Sequence, residues 1–181
     1  IGSNAGKEVT TGTHNVLLGG LAGDAITTGG ENVGVGTNAL GSEDTGSRNV
    51  AVGRSALFSL NYDGNSYNVA VGYHAGYSIT TGVENIIIGG TAGDALTTGS
   101  RNVVIGTYAL SNENEHGNNV AIGWKALQDQ DAGADAYNVA IGYEAGKEIT
   151  TGAENTIICC RAGDALTVGE RNVAEVKVLK V

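Results

Sequence analysis

The chain has 181 residues and a net charge of −9, from 19 acidic and 10 basic side chains; Gly supplies 30 residues, Pro and Met none, Trp and Phe one each. Acidity without clustered Lys/Arg argues against nucleic acid or an anionic membrane surface as partner, and no run approaches the roughly 18 apolar residues of a membrane span. So few bulky residues disfavour an ordinary globular core and suit a thin, closely layered structure built on Ala, Val, Ile and Leu.

The chain enters in mid-repeat, because Ile1-Gly2 matches Val71-Gly72 and Ile141-Gly142. An Asn followed by an apolar triplet then recurs at Asn15, Asn32, Asn49, Asn68, Asn85, Asn102, Asn119, Asn138, Asn155 and Asn172. Successive steps are 17, 17, 19 and 17 residues, so four coils make a 70-residue super-repeat that begins again at Asn85 and Asn155. A fixed period of this kind marks a solenoid, in which one coil cannot bury its own apolar face and stacking creates the core.

Within a coil, with the Asn as position 0, positions +1 and +3 are Val, Ile or Leu in most copies, as at Val50 and Val52. That alternation predicts a strand with +1 and +3 turned inward. Position +4 is Gly almost throughout, and +7 is Ala in every complete coil, from Ala22 to Ala162. Position +8 is Gly or Leu; the Gly coils carry Ile or Leu at +11, as at Ile26, Ile79, Leu96, Ile149 and Leu166. One interior slot is therefore filled from either of two positions. Thr-Thr-Gly follows in the Gly coils, and Gly29, Gly82, Gly99 and Gly152 return the chain. Each coil reads as strand, Gly turn, second strand, Gly turn, with the Asn side chains forming a ladder at one corner. The expected fold is an all-β β-solenoid or β-roll of about ten 17–19-residue coils, roughly 50 Å long at about 4.8 Å per coil.

With +1 and +3 inside, position +2 points outward, yet it is apolar or Gly throughout (Leu17, Gly34, Ala51, Ala70, Ile87, Val104, Ala121, Ala140, Ile157). An apolar stripe along a rod requires a partner, and identical chains around an axis supply one, which predicts a parallel homotrimer. At position −1, Glu31 precedes Arg48 by one coil, Glu84 precedes Arg101 and Glu154 precedes Arg171, so opposite charges stack in register.

Asn138-Val139-Ala140-Ile141-Gly142, with Ala145-Gly146 and Thr150-Thr151-Gly152, resembles the shaft repeats of phage tail fibres and tailspikes. It is also similar to the head repeats of trimeric autotransporter adhesins, whose coils are shorter. The resemblance implies a trimeric, extracellular attachment protein: a virion tail fibre or, alternatively, a bacterial surface adhesin that binds host or matrix ligands directly. It implies a shaft that spaces a receptor-binding tip from its base, with no catalytic, cofactor or metal site.

Other chemistry reads weakly. Asp24, Asp94 and Asp164 recur only once per super-repeat, too sparse a set of oxygens for calcium. The Thr pairs at Thr27, Thr80, Thr97 and Thr150 are interrupted by the Leu coils, which breaks any ice-binding array. His14, His74 and His116 occupy unrelated coil positions. Glu113 with Glu115, and Asp129 with Asp131, read as pairs in polar loops, without the apolar surroundings of a glycosidase acid. Phe58, Tyr62, Tyr67, Trp124 and Tyr137, in or near the long loops 58–67 and 128–137, either contact a host-surface glycan or pack gaps between coils of unequal size. Cys159-Cys160 replaces the Gly pair seen at Gly19-Gly20 and Gly89-Gly90. The two thiols either fill glycine space or form an interchain disulfide ring in the trimer. After Asn172 the motif fails, since Glu175 and Val176 stand for Ile and Gly. Residues 1–171 are thus expected to form the shaft, and 172–181 an exit strand leading to another segment.

Overall fold

The computed structural model describes residues 1–175. Ten strands of three residues form one parallel sheet in chain order: β1 (Val16–Leu18), β2 (Val33–Val35), β3 (Val50–Val52), β4 (Val69–Val71), β5 (Ile86–Ile88), β6 (Val103–Ile105), β7 (Val120–Ile122), β8 (Val139–Ile141), β9 (Thr156–Ile158) and β10 (Val173–Glu175). The chain is a β-solenoid whose coils pair level with one another, +1 beside +1 and +3 beside +3. Asn172 and β10 continue the sheet in register on β9; the change of segment expected at Val176–Val181 lies outside the described residues.

The Asn ladder runs the length of the rod. The backbone N–H of Asn85 donates to Oδ1 of Asn68 at 3.0 Å, and that of Asn102 to Oδ1 of Asn85 at 2.9 Å. Outside the 19-residue coils the amide also reaches across its own coil: Nδ2 of Asn85 donates to the Gly99 carbonyl at 2.9 Å and Nδ2 of Asn138 to that of Gly152 at 2.7 Å. From Asn32 to Asn155 the ladder is fully buried. A buried amide is tolerated because its donors and acceptor are met.

The strand faces are the reverse of the expected ones. Position +2 is the buried one, with Ala51, Ala70, Ile87, Val104, Ala121, Ala140 and Ile157 wholly inaccessible, while +1 and +3 face outward. The reason is the size of the interior. Ile87 lies beside Gly76 and Gly93, where an added Cβ would meet its Cδ1 at 3.0 and 3.4 Å. Ile157 fits Gly146 and Gly163 in the same way, at 3.1 and 3.0 Å. Where +8 is Leu, at Leu40, Leu57, Leu110 and Leu127, the +2 residue of that coil is smaller than Ile or Leu, namely Gly34, Ala51, Val104 and Ala121. Large at +2 thus goes with Gly at +8. The Ile or Leu at +11 completes the fill, since a Cβ on Gly76 would also meet Cδ1 of Ile79 at 3.0 Å.

Among the described residues no coil forms a second strand. Residues at +6 and +8, such as His74 (φ 55°) and Leu57 (φ 50°), adopt left-handed backbone, which breaks the alternation a strand needs. Their N–H groups still bond to neighbouring coils: His74 donates to the Arg54 carbonyl at 3.0 Å and Leu57 to that of Ala75 at 3.1 Å. Position −1 is left-handed too, from His14 to Arg171.

Two outcomes are expected. Asn85→Ala strips the acceptor from Asn102 and the donor from Gly99, so chemical denaturation should show a loss of about 3 kcal/mol. Gly93→Leu, at a φ of 52° that the native +8 leucines also adopt, should destabilise by overpacking against Ile87 and Leu96. Adding Ile87→Ala should recover about 1 kcal/mol or more of that loss in a double-mutant cycle.

Candidate interaction surface

The outward positions +1 and +3 form two apolar columns on one face of the sheet. Val16 is 56% exposed, Ile86 42%, Ile88 38% and Ile158 48%, and the columns are Val, Ile or Leu at all but Thr156 and Glu175. The columns stand about 7 Å apart, and nine inter-strand steps make them roughly 43 Å long. Among the described residues there is no cleft or cavity and no cluster of metal-competent side chains, and no helix long and apolar enough to cross a membrane.

Two rims border this ribbon. One is position −1. Arg48 Nε donates to Glu31 at 3.0 Å and Arg171 Nε to Glu154 at 2.7 Å, as the sequence suggests. The guanidinium holds each carboxyl below its usual range by hydrogen bonding and then by charge. The third expected pair does not form, because Arg101 turns the other way and donates to Asn118 Oδ1 at 3.2 Å. The second rim is the corner at +5 and +6. Trp124 and Tyr143 stack there at 4.8 Å, with Lys125 4.5 Å over the indole and Arg161 both 5.9 Å over Tyr143 and 2.9 Å from Glu144.

The five aromatics singled out from the sequence do not converge. Phe58 is half-buried and stacks on Tyr77 at 5.2 Å, in a pile continued by His74 and Tyr73. Tyr62 lies over Gly64 in the long loop. Tyr67 sits on the −1 rim, its hydroxyl accepting from Arg48 at 2.8 Å. Tyr137 occupies the same rim four coils away, about 19 Å along the rod. Trp124 belongs to the opposite rim. The pile around His74 went unread because its members come from three coil positions.

The carboxylates also differ from expectation. Glu113 is buried, not in a solvated loop, and so are its counterpart Glu43 and Gln130; all three stand at +11, where other coils carry Ile or Leu. Reading +11 in the Leu coils as well as the Gly coils would have found them. Glu113 Oε1 accepts from the backbone of Asn114 at 3.1 Å and His116 at 3.2 Å, and Oε2 from Ala132 at 3.3 Å. Glu43 Oε1 accepts from Gly46 at 2.7 Å and Asp44 at 3.1 Å, while its buried Oε2 has no partner. Burial outweighs these bonds and pushes Glu43 up to about 7. These groups hold loops closed by binding backbone N–H.

Cys159 and Cys160 are exposed free thiols at the end of β9, where ribbon and second rim meet. Cys159 has φ 131° in a column otherwise built of Gly at 133–142°, a conformation that costs a side chain about 1–3 kcal/mol. No family model, curated protein or solved structure matches the chain.

Glu43 gives a pH test. Its folded value lies above its ordinary 4.5, so the folded state binds the proton more tightly and stability falls as pH rises from about 4.5 to about 7. The loss should amount to roughly 2–3 kcal/mol. Glu31 and Glu154, with lowered values, act with the opposite sign and only in more acid solution. Thermal melts across this window should show a shallower decline for Glu43→Gln than for the native chain.

Proposed function

We propose that the chain is the shaft of a trimeric extracellular attachment protein of the phage tail-fibre kind, spacing a receptor-binding tip from its base. The observation that carries this reading is the apolar ribbon at +1 and +3. It recurs at nearly every coil along the described rod, and an exposed apolar stripe of this kind is suited to a protein contact. Every coil presents nearly the same two side chains, so a partner of the same length and period covers it best, and a second and third copy of this chain meet that condition. The reading keeps the trimer expected from the sequence but moves the contact from +2, which is interior, to +1 and +3. The shaft role needs no catalytic residue, cofactor or metal.

A bacterial surface adhesin head is the second reading, favoured by the exposure of Tyr62, Tyr67 and Tyr137. There the aromatics take a host-surface glycan.

Sedimentation equilibrium should return three times the chain mass at micromolar concentration. Ile86→Lys with Ile88→Lys, both on the outer face, should give a folded monomer with an unchanged circular dichroism spectrum. A native chain that sediments as a monomer sinks the trimer. Glycan-array binding that disappears with Tyr62→Ala would turn the choice toward the adhesin.

A further inference from the structure

The ribbon alone is too narrow for a stable interface. Two columns about 7 Å apart and roughly 43 Å long, with side-chain breadth, cover on the order of 450 Å². A specific contact takes about 800 Å² from each partner. The rims must therefore take part. We propose that in the trimer the −1 rim of each copy lies against the +5/+6 rim of the next copy, coil level with coil; this rests on the shaft reading above.

The argument is one of symmetry. A three-fold axis along the rod carries no translation, so every coil meets its own level in the neighbouring copies. All strands cross the ribbon from −1 toward +5 in one rotational sense around that axis. The end of each strand then points at the beginning of the next copy's strand, and the contact is heterologous.

The side chains suit this pairing. Arg161 comes beside Glu154 of the next copy, and Tyr108 beside Arg101. These repeat pairings that one chain already makes within itself, Arg161 with Glu144 and Arg48 with the Tyr67 ring. Among the described residues, the one level with like charges holds Arg48 and Arg54; there Arg48 is already bound by Glu31 and the Tyr67 hydroxyl. The same geometry keeps identical corners a ribbon's width apart. Cys159 of one copy does not reach Cys160 of another, and the disulfide ring suggested by the sequence does not close.

Cross-linking tests this directly. In a Cys159→Gly background, which restores the glycine column, Cys160 is the sole thiol, and Glu154→Cys places a second on the opposite rim at the same level. A short bis-maleimide, adding one thiol across each C=C bond, should give covalent dimer and trimer bands from the Glu154→Cys variant. Cys159→Gly alone should stay a single-chain band, and the native chain should form no disulfide-linked trimer with oxidised glutathione. Cross-linking of Cys159→Gly alone, or a disulfide-linked native trimer, overturns the rim pairing. So does a variant that sediments as a trimer yet gives no cross-linked band. A native chain that sediments as a monomer overturns the shaft reading itself.

Discussion

The buried asparagine column is the constraint on which the rest depends. Each side chain bonds the backbone of the next coil, and in the 17-residue coils it also closes its own coil, so it sets both the stacking level and the point at which the chain returns. Coil length is then free to vary elsewhere. Asn49 to Asn68 and Asn119 to Asn138 span 19 residues, yet the backbone bonds between them persist at 3.1 Å in both cases. The long coils adapt only the second contact: Asn49 turns Nδ2 to Ser47 and Ser66, and Gln130 is inserted between Asn119 and Asn138.

Around that column the interior behaves as a conserved volume shared among three positions. Ile87 is admitted because Gly flanks it above and below, and Leu57 because Ala51 and Ala70 do not compete for its space. Protein interiors tolerate little void or overlap, so the choices at +2, +8 and +11 are coupled. The buried Glu43 and Glu113 extend this logic to polar groups. They replace an apolar plug with a carboxylate that binds loop N–H groups, at the cost of desolvation that is visible in the raised titration of Glu43.

Period, coil number, the asparagine ladder and the alanine column were legible because each depends only on spacing. Which face of the strand turns inward was not, because positions +1 to +3 are apolar or Gly at all but Thr156 and Glu175, and alternation carries no sign. The missing information lay in the pairing of Leu17, Ile87 and Ile157 with Gly23, Gly93 and Gly163, a relation between positions and not a property of one. The absent second strand was hidden for another reason: non-Gly residues such as His74 and Glu144 hold left-handed backbone that their side chains do not advertise. Two of three charge pairs formed as read, and the third failed because Arg101 had a neutral partner, Asn118, on its other side. The aromatics were identifiable one by one, but their distribution over both rims and a loop depends on the three-dimensional corner each occupies.

The four-coil unit has a consequence for how such a rod changes length. Its last coil, with Ala70 and Gly76, hands on to a coil with Ile87, and seventy residues later Ala140 and Gly146 hand on to Ile157 in the same way. A genetic duplication or deletion of one whole unit therefore joins surfaces that already fit, while a cut of one, two or three coils leaves a misfitted joint. The rod can lengthen or shorten by recombination in steps of about 19 Å without new packing having to evolve.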